Sequence, residues 1–336
     1  MSYLLLTFAA LCVGVMGFAI QRGATCTVAA MDEVVNKRSV NRLRSLFEAS
    51  LWVAGGLLLA QMLHLLAKTP SGYALSGWTV AGGALLGLGA LINGACVFGA
   101  IARFGSGEWA YALTPFGFYV GAASVGALFA PAPAEKLAPG SVVLDAPAWA
   151  ALVFVGFVSW RLLRPWRRER GAQRPGTLLE RVRRLAAERV WAPHAATIVI
   201  GVTFLFTWLI AGAWAYTDLL AELARGMASN LPVRVMLLAA LLAGAVLGGW
   251  TAGRFRPTRI GAIQLLRCIV GGALMGWGSL LIPGSNDGLI LVGLPLLWPY
   301  AWVAFLTMCL TIGTAQIGLR WLRMPMAEQG ASRRSG

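Results

Sequence analysis

Residues 82–99 read GGALLGLGALINGACVFG, and residues 271–288, a constant 189 positions later, read GGALMGWGSLLIPGSNDG. Without a gap, Gly82, Gly83, Ala84, Leu85, Gly87, Gly89, Leu91 and Gly99 meet Gly271, Gly272, Ala273, Leu274, Gly276, Gly278, Leu280 and Gly288. Each copy is an apolar, glycine-rich helical stretch that stops at a small polar cluster. The first cluster is Asn93-Gly94-Ala95-Cys96, the second Pro283-Gly284-Ser285-Asn286-Asp287. A duplication that twice ends in a broken, polar turn at membrane depth points to a transporter's substrate site. The same offset sets Gly23-Ala24-Thr25-Cys26 against Gly212-Ala213-Trp214-Ala215, where the glycine and a small residue are retained.

The surroundings of the repeat are those of a polytopic membrane protein. Hydrophobic residues make up 58% of the chain and charged residues 12%, and the mean hydropathy is +0.71. A net charge of +15 would suggest nucleic acid in a soluble protein. Here all but three of the 28 basic residues are arginine, placed between apolar runs where they set orientation, so no nucleic-acid partner is inferred. Five cysteines lack paired spacing, and no CxxC or Cys/His cluster suggests a metal. There is no P-loop, no dinucleotide fingerprint and no nucleophile–base pair, so neither a cofactor nor an enzyme is expected. Residues 3–20 lack the basic start and small-residue cleavage site of a signal peptide and read as the first span.

Candidate spans are 3–20, 46–66, 77–101, 109–130, 147–163, 195–216, 231–250, 268–283 and 301–321, each close to the bilayer length. The loop 161–191 carries ten Arg against three Glu and is therefore cytoplasmic. Alternation from there leaves only Lys68, Lys136, Arg225 and Arg234 outside, so the N-terminus is expected outside and the C-terminus inside. The first glycine motif then runs inward and the second outward. The fold expected is an all-α polytopic membrane protein of about nine transmembrane helices with short re-entrant or half helices, built as two inverted-topology repeats. Residues 1–130 form the first repeat, 131–194 the connecting helix and Arg-rich loop, 195–323 the second repeat and 324–336 a disordered tail. Within the loop, residues 177–190 (TLLERVRRLAAERV) have amphipathic spacing and read as a helix on the inner leaflet or one that docks a partner.

The polar breaks supply the candidate site residues. Arg22, Gly23, Ala24, Thr25 and Cys26 precede a short helix whose free N–H groups suit a small anion; an ordinary cytoplasmic turn is the plain alternative. Cys96 stands between Gly94 and Gly99, and small-residue packing explains the glycines but not Asn93 and Cys96 together. Ser285 takes the place of Cys96 in the second copy, followed by Asn286, Asp287 and Gly288, with Gly284 before it. Asp287 is either a functional intramembrane acid or a cap of the helix 288–294. Cys12, Cys268 and Cys309 lie in apolar spans and read as small core residues. Trp277, Trp298 and Trp302 read as lipid contacts and interfacial anchors, and His64 and His194 as residues without ligand partners.

QRGATC near the N-terminus, the NGACVFGAIARFGSG block and the GGALMGWGSLLIPGSND block resemble the YeeE/YedE family of bacterial inner-membrane proteins with a sulphur-transport domain. The resemblance spans nearly the whole chain. It implies an inverted-repeat transporter for thiosulfate or a related small sulfur anion, in which cysteine thiols along a narrow path hydrogen-bond the terminal sulfur. By motif, Cys26 and Cys96 carry over, whereas Ser285 stands where the family often has a cysteine. A different class of reading is a membrane sulfur relay or scaffold that hands sulfur to a cytoplasmic carrier protein through the Arg-rich loop, without transport of its own.

Overall fold

Hydrocarbon offers no hydrogen-bond partners, so backbone inside it must satisfy itself, and the apolar runs do so as helices. The computed structural model describes residues 3–66, 71–131, 134–169, 187–227, 230–258 and 260–332. Its helices are α1 (Tyr3–Gly23), α2 (Thr27–Lys37), α3 (Asn41–Met62), α4 (Gly77–Asn93), α5 (Val97–Gly105), α6 (Leu113–Phe129), α7 (Ala148–Glu169), α8 (Pro193–Ala211), α9 (Tyr216–Ala224), α10 (Leu231–Thr251), α11 (Ala262–Leu281), α12 (Asn286–Gly288) and α13 (Pro299–Ser332). A 3₁₀ turn (Trp109–Ala112) precedes α6, and α12 continues as a π-helical turn (Leu289–Gly293). Two short strands, β1 (Ser71–Tyr73) and β2 (Lys136–Pro139), pair antiparallel.

Among the described residues, eight helical stretches are long and apolar enough to cross a membrane. The fifth span read from the sequence is the difference: the apolar part of α7 is only Trp149–Arg161, because arginine begins at Arg161. The amphipathic stretch at 177–190 falls almost wholly outside the described residues. Helix α13 continues to Ser332, through the first residues of the stretch read as a tail.

The duplicated glycines pack against each other. A Cβ added at Gly82 would stand 2.7 Å from the carbonyl of Gly278, and one at Gly89 would stand 2.6 Å from that of Gly271. Numbers rising along α4 therefore meet numbers falling along α11: the helices cross antiparallel, with their backbones nearly touching. The contact is self-complementary under the 189-residue offset, since Gly82 corresponds to Gly271 and Gly89 to Gly278.

The neighbouring helices follow the same rule. Helix α4 packs along α13 through Gly83 and Gly87, while α11 packs along α6 through Gly272 and Gly276. Gly14 and Gly17 of α1 lie on α10, and Gly201 of α8 lies on α3. Every one of these contacts joins a segment before residue 130 to one after residue 190, and each has its counterpart at the offset.

Helix ends sort onto two faces. Arg161 and His194 both contact Glu48, the Arg42 guanidinium donates to the Ala24 carbonyl, and the Arg256 N–H donates to the Ser106 carbonyl at 2.9 Å. That is the arginine face. On the hairpin face, the Trp298 indole donates to the Gly140 carbonyl at 3.3 Å, and Tyr73 packs edge-on against Tyr300. Trp298 is thus buried under the hairpin instead of anchoring at the lipid interface, because the β1–β2 hairpin covers it. Trp302 stacks on Phe47, and Trp277 donates to the Ser124 hydroxyl.

Overpacking a close crossing costs about 1–3 kcal/mol. Gly89→Ala should therefore lower the unfolding midpoint of detergent-solubilised protein by several degrees. Gly126→Ala, at a position with nothing within 4 Å of the added carbon, should leave it unchanged.

Candidate functional site

Four helices are interrupted, and each resumes at an extended N-cap: Cys26 before α2, Cys96 before α5, Ala215 before α9 and Ser285 before α12. The turns need positive φ, which Gly94 (77°) and Gly212 (85°) adopt without steric cost. Each fresh helix start leaves backbone N–H groups without intrahelical partners and carries the positive end of a helix dipole.

The first two starts meet. The thiols of Cys26 and Cys96 stand close together. The Thr27 N–H donates to Cys96 Sγ at 3.2 Å, so the second thiol caps the helix that the first one begins. Gly99 allows this closeness, because a Cβ there would lie 2.6 Å from Cys26 Sγ. Asn93 is fully buried and fastens the break. Its Nδ2 donates to the Ala95 carbonyl at 2.7 Å, its Oδ1 accepts from Thr114 at 2.9 Å, and its carbonyl accepts from the Tyr111 hydroxyl at 3.1 Å.

The other two starts meet differently. Asp287 Oδ1 accepts from the hydroxyls of Thr217 and Ser285, which also contact each other, and from the Gly288 N–H at 3.1 Å. Asp287 is 2% exposed, so this second residue of α12 lies in the protein interior and not at an outer interface. Where the first pair presents sulfur, the second pair holds its own carboxylate.

Two contacts join the pairs. Thr27 Oγ1 donates to Asn286 Oδ1 at 3.3 Å, and the Tyr216 hydroxyl donates to the Val97 carbonyl at 3.2 Å. Thr27 corresponds to Tyr216 and Val97 to Asn286 at the 189-residue offset, so this is one arrangement made twice.

A cavity of about 300 Å³ opens on the hairpin face. Ala215, Gly284 and Gly288 line it, together with Asp218, Arg225 and Arg234. Tyr73, on β1 at its wall, has its phenol pushed above the ordinary range by burial, against the pull of Arg225, and is a neutral donor at pH 7. On the arginine face a small cleft reaches Gly23, Thr25, Cys26 and Arg42. Between cavity and cleft lie Cys96, Ser285 and Asn286, each 0% exposed.

The structure thus brings Cys26, Cys96, Ser285, Asn286, Thr25 and the glycines Gly94, Gly99, Gly284 and Gly288 to this junction or its two mouths. Arg22 is directed elsewhere. Its guanidinium bonds the Glu188 carbonyl and the Thr251 hydroxyl and lies over Phe18, tying α1 to α10 and to the chain before α8. Sequence reasoning passed over Tyr216, Thr217 and Asp218. The offset match of Gly23-to-Cys26 with Gly212-to-Ala215 was the signal that a fourth helix start stood there.

Pockets on both faces that end at one sealed, polar junction of interrupted helices define a membrane transporter. The chain belongs to the sulphur transport family, whose pattern matches residues 22–314. It is also similar to the thiosulfate transporter TsuA of Escherichia coli (strain K12), 22% identical over 326 residues that cover 91% of this chain and 92% of the relative. It is a multi-pass membrane protein of sulphur transport, working within a lipid bilayer.

Cys26 is half-buried, whereas Cys12, Cys96, Cys268 and Cys309 are buried. A small alkylating reagent on folded, solubilised protein should modify Cys26 first, as read by peptide mass spectrometry. Gly99→Ala displaces that thiol and should change the rate several-fold without altering the order of the other four.

Proposed function

We propose that this protein carries thiosulfate across a bacterial inner membrane into the cell, along a path that passes the Cys26 and Cys96 thiols. The observation that carries the reading is the adjoining pair of thiols at two helix starts, set between a cavity on one face and a cleft on the other. Thiosulfate has a soft terminal sulfur and three hard oxygens bearing two negative charges. A thiol is a weak donor and soft acceptor matched to the sulfur end, and the helix starts favour the charge. Thr25 lines the inner mouth, and Gly284 and Gly288 the outer one. Ser285 acts at second hand, because its hydroxyl is engaged with Asp287 and Thr217 instead of facing the thiols.

Residues 1–130 and 195–323 act as inverted repeats joined by 131–194, with the N-terminus outside and the C-terminus cytoplasmic. The exchanged helix contacts support this, as does the gathering of arginines on one face. Entry of a dianion into a negative-inside cell works against about 2.3 kcal/mol per charge per 100 mV, so net uptake needs coupling or rapid consumption of the product.

Proteoliposomes containing only this protein should accumulate labelled thiosulfate. Cys26→Ala and Cys96→Ala should reduce uptake more than tenfold at equal expression, and Cys12→Ala and Cys309→Ala should leave it within about threefold. Equal transport by all four variants would make the two thiols packing residues. For orientation, a membrane-impermeant thiol reagent applied to intact cells should label Gly226→Cys and spare Gly253→Cys. The reverse pattern overturns the topology.

A further inference from the structure

Asn286 is 0% exposed, and its amide reaches across the junction to the start of α2, where Oδ1 accepts the Thr27 hydroxyl. Its Nδ2 has no partner. Buried amide N–H groups are almost always paired, so an orphan donor on a side chain whose other end is held at a helix start calls for an absent acceptor. An end-over-end flip of the amide would trade the unpaired donor for an unpaired acceptor. The positive end of the α2 dipole favours the orientation that offers the donor to an anion.

The surroundings narrow what that anion is. Thr27 is the shared point: its N–H touches Cys96 Sγ and its hydroxyl touches Asn286. A single small molecule at the start of α2 therefore reaches sulfur on one side and the amide on the other. The residues beside Asn286 do not compete for this task, since Ser285 and Asp287 bond each other and Thr217. The counterpart of Asn286 in the first copy is Val97, whose side chain cannot donate and whose carbonyl is taken by Tyr216. The seat is consequently two-ended, soft at Cys26 and Cys96 and hard at Asn286.

We propose that Asn286 is a specificity-determining residue that donates its Nδ2–H to an oxygen of an oxoanion whose terminal sulfur lies on the Cys26 and Cys96 thiols. This deepens the proposed transport reading and rests on it. The site then reads both ends of its substrate: sulfate lacks the soft end, and hydrosulfide lacks the hard one.

The test uses full-length protein in proteoliposomes, labelled thiosulfate as substrate, and sulfate and hydrosulfide as competitors. A hydrogen bond to an ion is worth about tenfold in affinity or more. Asn286→Ala should raise KM for thiosulfate about tenfold with the maximal rate within about threefold. It should weaken inhibition by sulfate by a similar factor and leave inhibition by hydrosulfide unchanged. Asn286→Leu, of similar volume and without the donor, is read in the same way in case the smaller side chain fails to fold. Unchanged KM and sulfate inhibition overturn the inference, and so does an equal weakening of both competitors, which marks a structural role. Wild-type protein that takes up no thiosulfate overturns the transport reading itself, whereas wild-type uptake with an indifferent Asn286 variant overturns only the role of Asn286.

Discussion

A helix interrupted inside a membrane exposes backbone groups that lipid cannot satisfy, and this constraint shapes the centre of the protein. The breaks at 24–26, 94–96, 212–215 and 282–285 meet it by turning to one another. Thr27 gives its N–H to Cys96 and its hydroxyl to Asn286, Tyr216 closes on Val97, and Asp287 gathers Thr217, Ser285 and Gly288. No break is self-sufficient. The junction exists because four of them stand within side-chain reach.

That proximity depends on helices that touch without side chains between them. The antiparallel crossing of α4 and α11 at Gly82, Gly89, Gly271 and Gly278 brings two breaks together. The exchanged packing of α6 on α11 and α13 on α4 then holds both helices from outside. Since each segment leans on the other copy, neither copy has a core of its own.

The two copies share geometry and differ in chemistry. At equivalent positions one has Cys96 and the other Ser285; Phe98 is matched by Asp287, and Ala29 by Asp218. The first pair of helix starts is therefore soft and carries no carboxylate. The second carries an internal carboxylate, buried behind hydroxyl donors, with Gly288 and Asp218 between it and the hairpin-face cavity. The junction between the two pairs is chemically one-sided even though its contacts repeat at the 189-residue offset.

Hydropathy, arginine placement and the ungapped repeat determined the class of fold, all but one of the helical spans and three of the four breaks, because each is written locally in composition or periodicity. The pairing of Cys26 with Cys96 in one junction was also within reach, through the motif resemblance. Local pattern could not say where side chains point. Arg22 reads as an anion ligand beside a glycine turn, yet it spends its guanidinium on Thr251 and Glu188, which only packing brings near. Ser285 reads as the partner of Cys96, yet its hydroxyl turns to Asp287 and Thr217, a residue 68 positions away in the chain. Asn286, adjacent in sequence, crosses instead to Thr27, 259 residues distant. Which of two neighbouring polar residues crosses the junction is decided by the long-range contact that satisfies the other, and that contact exists only in the folded chain.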